Sequence, residues 1–484
     1  MKPYLLLLLL AGCAAVGPDH REPPTPAPAR LGDWHGGAPE LRDTGLPVDS
    51  AQSYARFDDP VLAGLLRQAA SANHDLKMAA LRFAQSRLQR DVVAGRLAPR
   101  ADARTGVARQ RQSESGTATR MVDALAPANR AGLIDVLSSP FDAWQAGFDA
   151  TWEIDLWGRV RRAVEAADAE VARMAALERG VQLGIAVEVA RNYHELLAAR
   201  RQLRIARADI AAGEDVLQLM RSRGGAGLAP ELDVVRQEGL LAEQRGHIPA
   251  LLEEEAQAAN RLALLLGAVP GALPQLPGDG AGDAPPGRAP DLALGLPGEI
   301  VAHRPDIQAA AERLHAATAS IGIATADLYP RVTLGASFGF ESVGAGRLGE
   351  WGSRQWSVGP SLVLPLFDNG IRRATVQLRG LEQQEAAVAY QQAVLKAWHE
   401  VDDALSAYAA ERLRVAQWRL REEAGRTALE LATVRYRQGL SDALPLLDAQ
   451  RALLAARRDR VRGEAALTVR LLAICKATGV LPQA

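Results

Sequence analysis

The chain has 484 residues, room for two or more ordinary domains or for one large architecture built from a repeat. Its 56 basic and 57 acidic residues balance, which argues against a nucleic-acid surface and against a strongly basic membrane-binding face. Eight histidines are scattered without HxxxH or HExxH spacing, there is no CxxC pair, and no Gly-rich phosphate loop ends in Lys-Ser/Thr, so metalloenzyme and ATPase readings find no support. Beyond Cys13 the only cysteine is Cys475, in an apolar helical pattern, so no disulfide framework exists.

The N-terminus reads as a targeting segment. Lys2 supplies a charged start, an apolar run follows to Leu10, and Ala11-Gly12-Cys13 adds small residues, so residues 1–12 are expected to be a signal peptide. Six consecutive leucines are too few to span a bilayer. Leu10-Ala11-Gly12-Cys13 closely resembles a bacterial lipobox, which implies that Cys13 is the first mature residue and carries covalent diacylglycerol and an N-acyl lipid. Ala14 after it favours the outer membrane in signals of that kind. Several acyl chains on one residue hold a protein durably where one holds it marginally. Residues 13–57, rich in Pro, Gly and Ala over 18–47, read as a lipidated tether.

The first structural repeat is expected over 58–268. Asp58-Asp59-Pro60 is a helix-start signal, and Val61, Leu62, Leu65 and Leu66 give the helix an apolar face. Asn73-His74-Asp75 starts another helix that runs to about Leu97. Strands are expected at about 100–112 and 142–156. The first is poorly patterned, with Arg104 and Arg109 breaking its apolar side. In the second, Trp144, Ala146, Phe148, Ala150, Trp152, Ile154 and Leu156 alternate with Gln145, Gly147, Asp149, Thr151, Glu153 and Asp155. Strict alternation places one face in an apolar medium and the other in water. After Trp157-Gly158-Arg159 the pattern becomes helical, with no proline before Pro230.

Residues 269–298 read as a Pro/Gly linker, and 299–478 repeat the plan, leaving 479–484 as a tail. Arg304-Pro305-Asp306-Ile307 matches Asn73-His74-Asp75-Leu76, and Tyr329-Pro330-Arg331 matches Ala98-Pro99-Arg100, with the proline 24 positions after the aspartate in both copies. Strands are expected at about 331–342 and 354–367, the second feeding Ile371-Arg372-Arg373-Ala374 as the earlier strand feeds Val160-Arg161-Arg162-Ala163. The helices that follow would be roughly 100 Å long at 1.5 Å per residue and need lateral partners. Leu378, Leu381, Val388, Leu395, Trp398, Leu405, Tyr408 and Val415 form a coiled-coil stripe with drifting phase. Tight turns around Gly227 and Gly439 fold each long helix into an antiparallel hairpin.

The fold class is therefore mainly α with a membrane β-barrel, internally duplicated. Four strands per chain cannot close, and an open edge cannot sit in lipid, so copies must pool strands. Two copies give eight strands and a plugged interior, and three give twelve and a water-filled lumen. The polar parity, with Asp149, Thr151, Glu153, Thr333, Ser337, Ser357 and Ser361, would face that lumen. A soluble β-sandwich with a helical appendage is the competing architecture.

The duplicated strand-helix plan, the lipobox followed by Val16-Gly17-Pro18, the two proline motifs above, Arg435-Tyr436-Arg437-Gln438-Gly439 and Leu447-Asp448-Ala449-Gln450 together resemble the TolC-like outer membrane efflux proteins, specifically their lipoprotein branch. The resemblance covers the chain from Cys13 to about Gly479. It implies a homotrimer whose periplasmic tunnel of helices joins a periplasmic adaptor and an inner-membrane transporter, commonly of the resistance-nodulation-division class. It also implies a passive, non-enzymatic duct without cofactors, sited in the Gram-negative outer membrane with its lipid on Cys13. Because the family closes its tunnel at the helix turns, Tyr436, Asp448, Asp442, Arg435 and Asp233 are the gate candidates. Gly227, Leu228, Gly439, Leu440 and Ser441 are the turn residues expected to meet the adaptor. The Tyr436 phenol is placed to hydrogen-bond across to a neighbouring hairpin, and Arg435 and Arg437 to pair with carboxylates. Pro445 stands where relatives often carry a second acid, which argues against a two-tier acidic ring. The alternatives are a type I protein-secretion duct and a pore-less, lipid-anchored coiled-coil trimer.

Overall fold

The internal duplication is visible in the order of elements. A computed structural model describes residues 15–21, 37–46, 54–117, 120–122, 129–273, 291–294 and 297–483. Cys13, the signal peptide and most of the tether and linker lie outside the described residues. The first half runs β1 (Tyr54–Arg56), α1 (Pro60–Ala72), α2 (His74–Ala94), β2 (Arg100–Gln110), α3 (Arg130–Ser138), β3 (Phe141–Ile154), α4 (Arg159–Gly225) and α5 (Glu231–Leu265). The second runs β4 (Asp291–Ala293), α6 (Pro297–His303), α7 (Pro305–Ala326), β5 (Arg331–Ser342), β6 (Arg354–Val363), α8 (Ile371–Arg437), α9 (Leu444–Thr478) and β7 (Pro482–Gln483). Both long helices, α4 and α8, have 67 residues, and both return helices, α5 and α9, have 35. By Cα packing the described residues form two units, one drawn from 15–21, 86–171 and 313–386 and the other from 37–85, 172–312 and 387–483.

The first unit contains a four-stranded antiparallel sheet in the order β2-β3-β5-β6. Its register sets Asp102 opposite Asp149, Asp149 opposite Ser337, and Ser337 opposite Ser357, so the polar parities of all four strands share one face. Trp144, Phe148 and Trp152 share the other face with Val332, Leu334, Phe338, Trp356 and Leu362. Arg104, expected to break the apolar side of β2, instead lies on the polar face and pairs with Asp149 at 3.0 Å. Arg109 does lie on the apolar face, neutralised by Asp142 across the ladder at 3.3 Å. The β2–β3 connection contains a helix, α3, that the sequence pattern did not signal. Strand β6 ends at Val363, four residues before its expected limit.

The proline motif between α7 and β5 has a local explanation. Trp157 donates from Nε1 to the Pro330 carbonyl at 2.8 Å, and its ring stacks on Tyr329 at 4.7 Å between centroids. Arg331 and Arg159 converge on Glu153, at 2.5 and 2.6 Å. Thus the strand ends are tied together where the helices begin.

The second unit is helical, apart from a small sheet in the order β4-β1-β7. These strands of two or three residues fall in the expected linker, tether and tail, and are too short to show alternation. The Asp59 side chain caps α1 by accepting from Val61 N at 2.9 Å and Leu62 N at 3.1 Å. Asp59 also accepts from the Tyr193 hydroxyl at 2.9 Å, joining the start of α1 to the middle of α4. Leu62, Leu65, Leu183, Val187, Leu196, Leu262 and Leu472 belong to one buried cluster drawn from four helices. Buried Arg304 bonds Asp306 at 2.7 Å, Glu400 at 2.6 Å and the Ala477 carbonyl at 2.7 Å, so the Arg304-Pro305-Asp306 motif clasps α8 and the end of α9.

Candidate functional site

The two hairpin turns have the same backbone. In the first, Gly227 N donates to Gly224 O at 2.9 Å and Leu228 N to Arg223 O at 2.8 Å. In the second, Gly439 N donates to Tyr436 O at 3.0 Å and Leu440 N to Arg435 O at 2.9 Å. These paired bonds close a Schellman motif, which needs a left-handed residue at its centre, and the φ values of Gly227 and Gly439 are 73° and 71°. The leucine after each glycine usually folds back onto its own helix, but here the facing residue is an arginine in both turns. Leu228 and Leu440 remain 68% and 65% exposed.

Behind the turns a small core holds Met220, Leu240, Tyr436, Ala443, Leu446 and Leu447, drawn from both hairpins. Tyr436 is 2% exposed and its hydroxyl is buried without a hydrogen-bond partner. Within the single chain the phenol therefore makes no hydrogen bond to the other hairpin. Instead the ring is covered by the Arg223 guanidinium, whose Cζ lies 4.9 Å from the centroid, while Arg223 Nη1 donates to the Arg437 carbonyl at 3.0 Å. Burial, and next the nearby Asp233 carboxylate, push the phenol above its ordinary pKa against the pull of Arg223, so it stays protonated.

The candidates thus divide. Tyr436 and Asp233 are brought together in the buried layer, whereas Asp448, Asp442 and Arg435 are exposed. Neither Arg435 nor Arg437 forms a side-chain ion pair within the chain among the described residues. Asp442 does not cap α9, whose N-cap is Ala443 with no side-chain bond. The Ser441 hydroxyl is buried and unpartnered. Arg223 was missed, although the repeat signals it: it stands four residues before Gly227, as Arg435 stands four before Gly439.

Gly335-Ala336-Ser337-Phe338-Gly339 has the spacing of a serine nucleophile elbow, but Ser337 sits in mid-strand with its hydroxyl 2.8 Å from that of Ser357, not on a strand-to-helix turn. Among the described residues no group of three or more His, Cys, Asp or Glu is placed to hold a metal, and no helix is long and apolar enough to cross a membrane.

Comparison with known proteins agrees with this architecture. The family model described as "Outer membrane efflux protein" matches residues 65–268 and 296–480. The chain belongs to the outer membrane efflux protein family. The outer membrane protein OprJ of Pseudomonas aeruginosa is 32% identical over 450 residues, covering 92% of this chain and 88% of that protein. The pyoverdine export outer membrane protein OpmQ of Pseudomonas putida is 34% identical over 428 residues, covering 87% and 86%. The solved structure of the outer-membrane channel OprN superposes with a TM-score of 0.81 at 32% identity, covering 96% of this chain and 98% of that one. Family members are channels, and this efflux protein is an outer-membrane component with a large periplasmic part. Its two matched segments correspond to the two halves read from the element order.

Proposed function

We propose that three copies of this efflux protein close a twelve-stranded barrel in the outer membrane and continue it as a twelve-helix periplasmic tunnel. The observation that carries this reading is the pair of open edges in the four-stranded sheet. β2 and β6 are exposed along nearly their whole length, and unpaired backbone groups in lipid cost several kcal/mol each. A lipid on Cys13 anchors the tether to the same membrane. The duct is passive, catalyses nothing and receives cargo from an inner-membrane pump of the resistance-nodulation-division class through a periplasmic adaptor. Pyoverdine export by a 34% identical relative supports small molecules as the cargo class over secreted proteins.

The turns are the docking and closing end. Leu228 and Leu440, presented by Gly227 and Gly439 and flanked by Ser441, offer the adaptor two exposed apolar side chains per copy. The layer behind them, Tyr436 with Asp233 and Arg223, holds the two hairpins of one chain together. Exposed Asp448, Asp442 and Arg435 are left to act between copies. The test is complementation of a strain that lacks its duct but keeps the adaptor and pump. The chain should restore drug efflux, and the Leu228→Asp, Leu440→Asp double variant should lose it while remaining assembled in the outer membrane. Failure of the unaltered chain to restore efflux would sink the duct assignment, and full activity of the double variant would sink the docking role.

A further inference from the structure

On the polar face of the four-stranded sheet, the carboxylates within the strands are Asp102, Asp149, Glu153 and Glu341. Three of them have cationic partners: Arg100 lies 3.0 Å from Asp102, Arg104 lies 3.0 Å from Asp149, and Arg331 lies 2.5 Å from Glu153. Glu341 differs. Its Oε2 accepts from the neutral amides of Gln145 at 3.3 Å and Gln355 at 3.1 Å, and among the described residues no cation pairs with it. The amides hold the carboxylate in place on an exposed face without cancelling its charge.

Its position is fixed by topology. β5 starts from α7 and ends at Ser342, so Glu341 lies at the end of the sheet opposite the one from which the long helices α4 and α8 run, level with Gln145 near the start of β3 and on the side of the α3 connection. In the trimeric barrel proposed above, on which this inference rests, that end is the outer mouth. We infer that Glu341, repeated by the three-fold axis, forms an acidic ring that makes the outer mouth of the duct prefer cations. The other strand carboxylates of this face are paired, so Glu341 is the one whose charge no strand cation offsets, and a ring of carboxylates concentrates cations and repels anions.

The experiment uses the purified full-length trimer in planar bilayers under a KCl gradient, comparing the unaltered protein with Glu341→Gln, Glu341→Lys and the outward-facing control Asp142→Asn. Glutamine preserves the shape of the side chain, so assembly should survive. The cation-to-anion permeability ratio should fall by roughly twofold or more in Glu341→Gln and further in Glu341→Lys, and stay unchanged in Asp142→Asn. The difference should be larger at about 0.1 M salt than at about 1 M, because the screening length shrinks from about 10 to about 3 Å. Hexaamminecobalt(III) added on the loop side should block the unaltered channel and spare Glu341→Gln. Equal ratios and equal block in all four proteins would overturn the ring. An unaltered trimer that conducts nothing would instead overturn the duct reading beneath it.

Discussion

The gating role proposed for Arg223 and for Asp448 rests on two different kinds of contact, one within a chain and one between copies. Arg223 links the hairpins of a single chain by covering Tyr436 and bonding the Arg437 carbonyl. Because the guanidinium sits on a buried ring, the contact is desolvated and worth about 1–2 kcal/mol, more than an exposed ion pair. Arg223→Ala should therefore loosen the hairpins and raise single-channel conductance. Asp448 is exposed on one chain; on the proposal that it acts between copies, Asp448→Ala should raise conductance or weaken cation block without altering the stability of the chain. Unchanged conductance and block in both variants would remove both residues from the gate. The sequence pointed to Tyr436 and Asp448 through motifs and marks Arg223 only as the counterpart of Arg435 in the repeat, while its seat on a ring 213 positions away is a tertiary fact.

At the scale of elements, the packing of α1 on α4 contains an acid-sensitive joint. His194 lies in the buried layer next to Tyr193 with its Nε2 unpartnered, and burial pushes its pKa down to about 4 against the pull of the Asp59 carboxylate. A base whose folded pKa lies below its unfolded value of about 6.5 contributes stability that is complete above 6.5 and lost as pH falls towards 4. The loss should be on the order of 3 kcal/mol over that window. Urea midpoints followed by circular dichroism should fall between pH 6.5 and 4 in the unaltered protein and change little in His194→Leu. A parallel decline in both would assign the acid sensitivity to other groups. The coiled-coil stripe of α8 divides in the same concrete way: Trp398, Leu405, Tyr408 and Val415 are buried within the chain, whereas Leu378, Leu381, Val388 and Leu395 are exposed. A drifting phase anticipated different neighbours along the helix, and the exposed half is where further copies are needed.

For the whole molecule, the decisive matter is which face of the sheet meets lipid. Phe338 and Ser337 are adjacent in the middle of β5 and point to opposite faces. An arginine at mid-bilayer on a lipid-facing position costs about 2–4 kcal/mol, while a lumenal one remains hydrated. Phe338→Arg should sharply reduce the assembled outer-membrane species on native gels, and Ser337→Arg should assemble normally. The opposite pattern would invert the assignment of faces, and equal assembly of both would deny that the sheet meets lipid at all.

Periodicity lies in the local chain, which is why the strands, the two 67-residue helices and the duplication could be read without coordinates. Alternation records a boundary between apolar medium and water, and long runs without helix breakers record a helix whatever it packs against. Contacts between distant segments leave no such period. Only the tertiary structure gathered tether, linker and tail into β4-β1-β7, placed Arg104 on the polar face, seated Arg223 on Tyr436, and left Glu341 as the strand carboxylate of that face without a cation. Each of those facts depends on which remote side chain arrives within a few ångströms, and register and packing decide that after the local elements have formed.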